Sequence, residues 1–158
     1  MIDYEVLYDF VALVTDGQPI SEMEVCNHCG AARPGAKAQE RKRKFLGYGK
    51  LVLHWLSLRL GCFGLDESGR PFVSVNEAGP VVSGTVYLEA PHVRVTFYAD
   101  GNPDTGFSYS DPKACDVGGR LPWKALLDVD ACAREVNAAL DTRRTFAQGR
   151  NETGLGQF

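Results

Sequence analysis

Residues 81–98 read VVSGTVYLEAPHVRVTFY, and this stretch decides the fold class. Val93, Val95 and Phe97 alternate with Arg94, Thr96 and Tyr98. A period of two marks a strand with one buried face and one exposed face. Glu89-Ala90-Pro91-His92 separates that strand from a second β-rich run, Val81–Leu88. Two such runs around a short turn-forming loop predict an antiparallel hairpin. Upstream, Cys62–Leu65 and Pro71–Val75 flank Asp66-Glu67-Ser68-Gly69, whose residue types suit a tight turn, and a second hairpin is expected there. Downstream, residues 100–106 read as a loop, Phe107–Tyr109 as a short strand, and 110–121 as another loop.

Helical patterns flank this β region. Residues 2–15 fit strand alternation, but Leu7, Phe10, Val11 and Val14 also fall at helical spacing, with Glu5, Asp9 and Asp16 on the opposite side. The clean polar face and the Asp16-Gly17 stop favour a helix. Residues 36–46 are rich in strong helix formers. Gly47 and Gly49 are expected to interrupt before a buried helix over 50–60, which puts Lys50, His54 and Ser57 on one face. Asp130 is the expected cap of a last helix near 131–140, with Cys132, Val136 and Leu140 as its apolar face. The expectation is an α+β fold. An antiparallel sheet of two or more hairpins (residues 62–109) is covered on one face by N-terminal and C-terminal helices. A single domain over 1–145 is followed by a polar tail over 146–158.

The 44% apolar and 23% charged fractions are those of a globular chain. No apolar run approaches the ~18 residues of a membrane span, and Asp3 and Glu5 stand where a signal peptide would be basic. A soluble cytoplasmic protein without membrane contact is expected. Its five cysteines, odd in number and irregular in spacing, suit reduced thiols rather than a disulfide framework.

The sharpest motif is Cys26-Asn27-His28-Cys29-Gly30. A Cys-x-x-Cys-Gly turn can present two thiolates to one zinc ion, whose tetrahedron then needs two further ligands. Cys62, Cys115, His54 and His28 are the available completions, and a pair of unmetallated thiols is the alternative. The motif also resembles that of the thioredoxin-like oxidoreductases, with Pro34 following it and Gly79-Pro80 ahead of the run at Val81. That resemblance implies redox chemistry at Cys26 and Cys29. Asp100-Gly101-Asn102-Pro103-Asp104-Thr105-Gly106 has the rhythm of a calcium loop, but its glycine is displaced by one place and position 12 is Asp111, so an Asx-rich turn is the favoured reading.

Charge is unevenly distributed. Between Arg33 and Lys50 lie seven basic residues and one acid, Glu40, so this stretch is +6 within a chain of net charge −3 and the remainder is −9. Arg41, Lys42, Arg43 and Lys44 are expected to be mostly exposed and form a candidate anion or nucleic-acid contact, with Phe45 and Tyr48 nearby for stacking. No Gly-x-Ser-x-Gly, phosphate loop or dinucleotide fingerprint occurs. The leading expectation is a non-enzymatic protein-binding or assembly module, with or without a stabilising zinc. A small phage or mobile-element protein, inhibiting host machinery or building a virion, would fit that type, and the polar stretch 148–154 would gain order from a protein partner. A nucleic-acid-binding module using residues 33–50 and a thiol-disulfide oxidoreductase are the alternatives.

Overall fold

The computed structural model describes the backbone of residues 1–21, 23–25, 32–79 and 81–156, and the side chains of residues 1–21, 35–79, 81–114 and 116–142. The N-terminal segment is helical: α1 spans Tyr4–Thr15. Asp3 starts it by accepting hydrogen bonds from the N–H groups of Glu5 and Val6 at 3.1 and 3.3 Å. Leu7, Phe10, Val11 and Val14 form its buried face, as the helical spacing predicts. Two short strands follow, β1 (Met23–Val25) and β2 (Ala32–Pro34), paired antiparallel.

The next helix, α2 (Ala36–Arg59), is continuous through both glycines where an interruption is expected. Gly49 is there for packing: a Cβ on it would lie 3.0 Å from Phe10 Cε1 and 3.1 Å from Val86 Cγ2. Gly47 has no such reason, since a Cβ there would meet nothing within 4 Å. The helix ends in a Schellman motif. The N–H of Gly61 donates to Leu58 O at 3.2 Å and that of Cys62 to Ser57 O at 2.9 Å, with Gly61 at φ +86°. This reversal carries Cys62 back beneath the last turn, where it is buried.

The sheet is an antiparallel meander in simple order: β3 (Val73–Asn76), β4 (Thr85–Glu89), β5 (Arg94–Phe97), β6 (Phe107–Asp111) and β7 (Ala114–Leu121). The β4–β5 hairpin lies where its alternation puts it, with Val93, Val95 and Phe97 buried and Arg94 exposed. Two expectations change. Residues 62–65 form no strand, and the first hairpin reduces to a single bridge between Leu65 and Pro71. The presumed loop 110–121 instead contains β7. Its Gly118 is needed because a Cβ there would approach Tyr109 O to 2.4 Å. A 3₁₀ helix (Trp123–Leu127) leads into α3 (Val129–Gly156), so the backbone is helical where a polar tail is expected. Asp128, rather than Asp130, accepts the hydrogen bond from Ala131 N, at 3.0 Å.

The sheet's register separates its two faces. Val73, Leu88, Val95 and Tyr109 share one transverse row on the helix side, whereas Ser74, Tyr87, Thr96, Ser108 and Arg120 share the next row on the other face. The first row is buried and the second is partly or fully exposed. The helices therefore cover one face only, which gives the α+β arrangement of an antiparallel sheet with N-terminal and C-terminal helices. An aromatic cluster fills the interface: Phe97 lies 5.6 Å from Phe10, 5.3 Å from Phe107 and 5.5 Å from Trp123, centroid to centroid. Truncating this central ring leaves a cavity that rigid neighbours cannot close. Phe97→Ala is expected to destabilise the fold by about 3–5 kcal/mol in denaturant titrations followed by tryptophan fluorescence.

Candidate functional site

The C-terminal half of α2, the reversal at 61–64 and the start of β3 enclose a cavity of about 350 Å³. Leu51, Phe72 and Val73 supply apolar wall, Cys62 lies at the base, and Lys50 and His54 stand one helical turn apart on the α2 side. Among the described residues the lining carries no acidic side chain. Gly47, the glycine without a packing reason, is also part of the wall. A bulkier residue there would occupy the space. Around the cavity, Leu51, Phe63 and Leu65 are exposed apolar side chains.

Local chemistry holds this wall in shape. Asp66 Oδ1 accepts from Ser68 N, Ser68 Oγ and Arg70 N at 2.9, 2.7 and 2.9 Å, which closes the loop between the two halves of the rim. The hydrogen bond from Arg70 N, followed by that from Ser68 Oγ, holds the Asp66 carboxyl below its ordinary value. That contribution is present above the ordinary pKa of 3.8 and is lost as pH falls through the lowered folded value. On the opposite side His92 Nε2 donates to Leu60 O at 2.8 Å, tying the end of α2 to the β4–β5 turn. Ser57 Oγ donates to His54 O at 2.6 Å and is thus engaged within its own helix.

β3 is the edge strand next to this cavity. Phe72 O accepts from Glu89 N at 3.0 Å, which makes Phe72–Glu89 a hydrogen-bonded pair. Pairs alternate along an antiparallel ladder, so Ser74 and Asn76 also bond towards β4, whereas Val73 and Val75 point their N–H and C=O groups outwards. Among the described residues no strand pairs with that outer edge.

The sequence-derived candidates are dispersed. Cys26 and Cys29 lie outside the described residues, as do His28 and the side chain of Cys115. What can be placed is their frame: β1 and β2 pair antiparallel on either side of residues 26–31, rather than a strand leading into a helix as the thioredoxin-like motif implies. Of the zinc completions, His54 and Cys62 come together at the cavity. Among the described residues no group of three or more His, Cys, Asp or Glu side chains could hold a metal. In the loop after β5, Asn102 N donates to Asp100 and Asp104 N to Asn102, at 2.9 and 3.0 Å, so it is the Asx-rich turn.

The expectation that the basic run is mostly exposed is corrected at two positions. Lys42 is buried, with Nζ donating to Gly79 O at 3.1 Å. Arg41 clamps the end of α1, donating to Leu13 O, Pro19 O and the Asp16 carboxylate at 3.1, 3.0 and 2.7 Å. These guanidinium and ammonium groups are spent on carbonyls distant in sequence, a role that charge counting cannot reveal. Arg43 and Lys44 are exposed, and Arg43 pairs with Glu40. Among the described residues no helix is long and apolar enough to cross a membrane. Comparison with protein-family models, with curated proteins and with solved structures finds no match.

The two described cysteines are poor nucleophiles. Burial pushes the Cys62 thiol above its ordinary value. Burial, with Glu135 and Asp128 adding repulsion, pushes Cys132 up to about 12. A raised thiol pKa favours folding fully below the ordinary 9.0, and the benefit is lost as pH rises from there through 12. Reactivity follows the thiolate. At pH 8, site-resolved alkylation of Cys132 should run at least about 100-fold slower in the native protein than in denaturant, and that of Cys62, which borders the cavity, should be slowed less.

Proposed function

We propose that the chain is a protein-binding module that takes up an extended segment of its partner along the outer edge of β3, with an apolar side chain of that segment seated in the adjoining cavity. The observation that carries this reading is the juxtaposition of the two features at Val73, which both lines the cavity and turns its N–H and C=O outwards. An edge strand offers main-chain hydrogen bonds to any extended chain, and a neighbouring pocket adds side-chain selectivity. Gly47 supports the same reading. A glycine inside a helix costs about 0.5–1 kcal/mol relative to alanine, and here the only thing it spares is the space in the cavity.

Binding suits this site better than chemistry does. Cys62 is held in its protonated form, and the Ser57 hydroxyl is spent on its own helix. The basic run gives less support to a nucleic-acid role, since Arg41 and Lys42 are committed to internal carbonyls. Either role expected of a small phage or mobile-element protein, inhibition of host machinery or assembly into a virion, would use a surface of this kind.

Selection of a displayed random-peptide library on the wild-type protein tests the reading, with two variants as controls. Gly47→Leu should fill the cavity, abolish binding of the selected peptides and raise stability by about 0.5–1 kcal/mol. Val75→Pro should remove one outward N–H while leaving the β4 ladder intact, and so weaken binding without unfolding the chain. Peptides that bind both variants as well as they bind wild type would refute the site.

A further inference from the structure

We infer that the segment recognised at the β3 edge carries a carboxylate beside its apolar anchor, and that Lys50 and His54 read it. The inference rests on the protein-binding reading above and adds the chemistry of the partner. Lys50 and His54 are four residues apart on α2, so they rise side by side on one helical face. Both side chains are exposed, both line the cavity, and neither bonds to any described residue. Elsewhere on the same helix Arg41, Lys42, Arg43 and Arg59 have partners within the chain, while Lys37 and Lys44 are exposed but do not line the cavity.

Charge complementarity then selects the occupant. The chain is net acidic, yet among the described residues that line this cavity the ionisable side chains, apart from the Cys62 thiol, are a lysine and a histidine. A basic segment would meet no counter-charge among the described lining residues, whereas an acidic one meets the Lys50 ammonium. His54 offers a ring N–H to the same oxygen pair. The apolar wall formed by Leu51, Phe72 and Val73 accounts for the neighbouring anchor residue. The partner class is thus an extended protein segment with a bulky apolar residue next to Asp or Glu.

Sequencing of the peptides selected on the wild-type protein and on Lys50→Glu tests this, combined with amide chemical-shift mapping. On wild type, Asp or Glu should be enriched at a fixed offset from a bulky apolar residue. Replacing that acid by Lys should weaken binding at least about tenfold, and Lys50→Glu should reverse the preference. Lys50 is exposed, so its exchange leaves the fold intact. Peptides that shift the Val73 and Val75 amides but show no acidic enrichment and no reversal would overturn this inference and leave the binding site standing. Peptides that shift no β3 amide, or a cavity filled by benzoate alone while no peptide binds, would overturn the binding site itself.

Discussion

The close approach of α2 to α1 and to the sheet at Gly49 sets the position of the other elements. With hydrogen in place of a side chain, the helix settles onto Phe10 of α1 and Val86 of β4, each about 3 Å from where a Cβ would stand. Phe10 in turn stacks against Phe45 and Phe97 and meets Trp123 edge-on. One glycine therefore joins the N-terminal helix, the long helix, the central hairpin and the 3₁₀ segment into a single apolar layer. Because proteins pack at near-crystalline density, a methyl group at that point would push the layer apart rather than be absorbed.

The same helix stays packed beyond Gly49 through Val52, Leu53, Trp55 and Leu56, and its other side borders the cavity. Gly47 is two residues from Gly49 and faces away from the core, and Lys50 and His54 stand on the side that looks towards the start of β3. The Schellman reversal at Gly61 brings Cys62 back to form the base, and the Asp66 turn holds the rim together. The cavity, the cationic pair and the sheet edge are thus consequences of how α2 starts and stops, and they occur in one place. The outer sheet face differs in character. Its serines, threonines and Tyr87 interleave with a Glu89–Arg94 ion pair at 3.0 Å.

What the sequence reveals and what it hides follow from the range of the interactions. The β4–β5 hairpin is legible because Val93, Val95 and Phe97 alternate within one short run, and α1 because its apolar spacing and its cap are both local. β7 is hidden because Gly118 and Gly119 weaken strand propensity, and the reason for Gly118 is its contact with β6. The unbroken course of α2 is hidden for a similar cause, since tertiary packing on Phe10 offsets the poor helix propensity of glycine. The common face of Lys50, His54 and Ser57 is visible from helical spacing alone. The wall opposite it, Cys62 to Val73, is brought there by a reversal and a turn that no single window of sequence contains. Arg41 and Lys42 look like free charge in one dimension and prove to be clamps on carbonyls 22 to 37 residues away.

Hydrogen exchange along β3 tests the central claim most directly, because the ladder assigns alternate residues to opposite sides. In the free protein the amide of Ser74, bonded to β4, should be protected, and those of Val73 and Val75 should exchange faster. On addition of a selected peptide, Val73 and Val75 should gain protection while Ser74 stays as it was. Protection that appears instead on the outer sheet face or on residues 41–44, with Val73 and Val75 unchanged, would contradict the account.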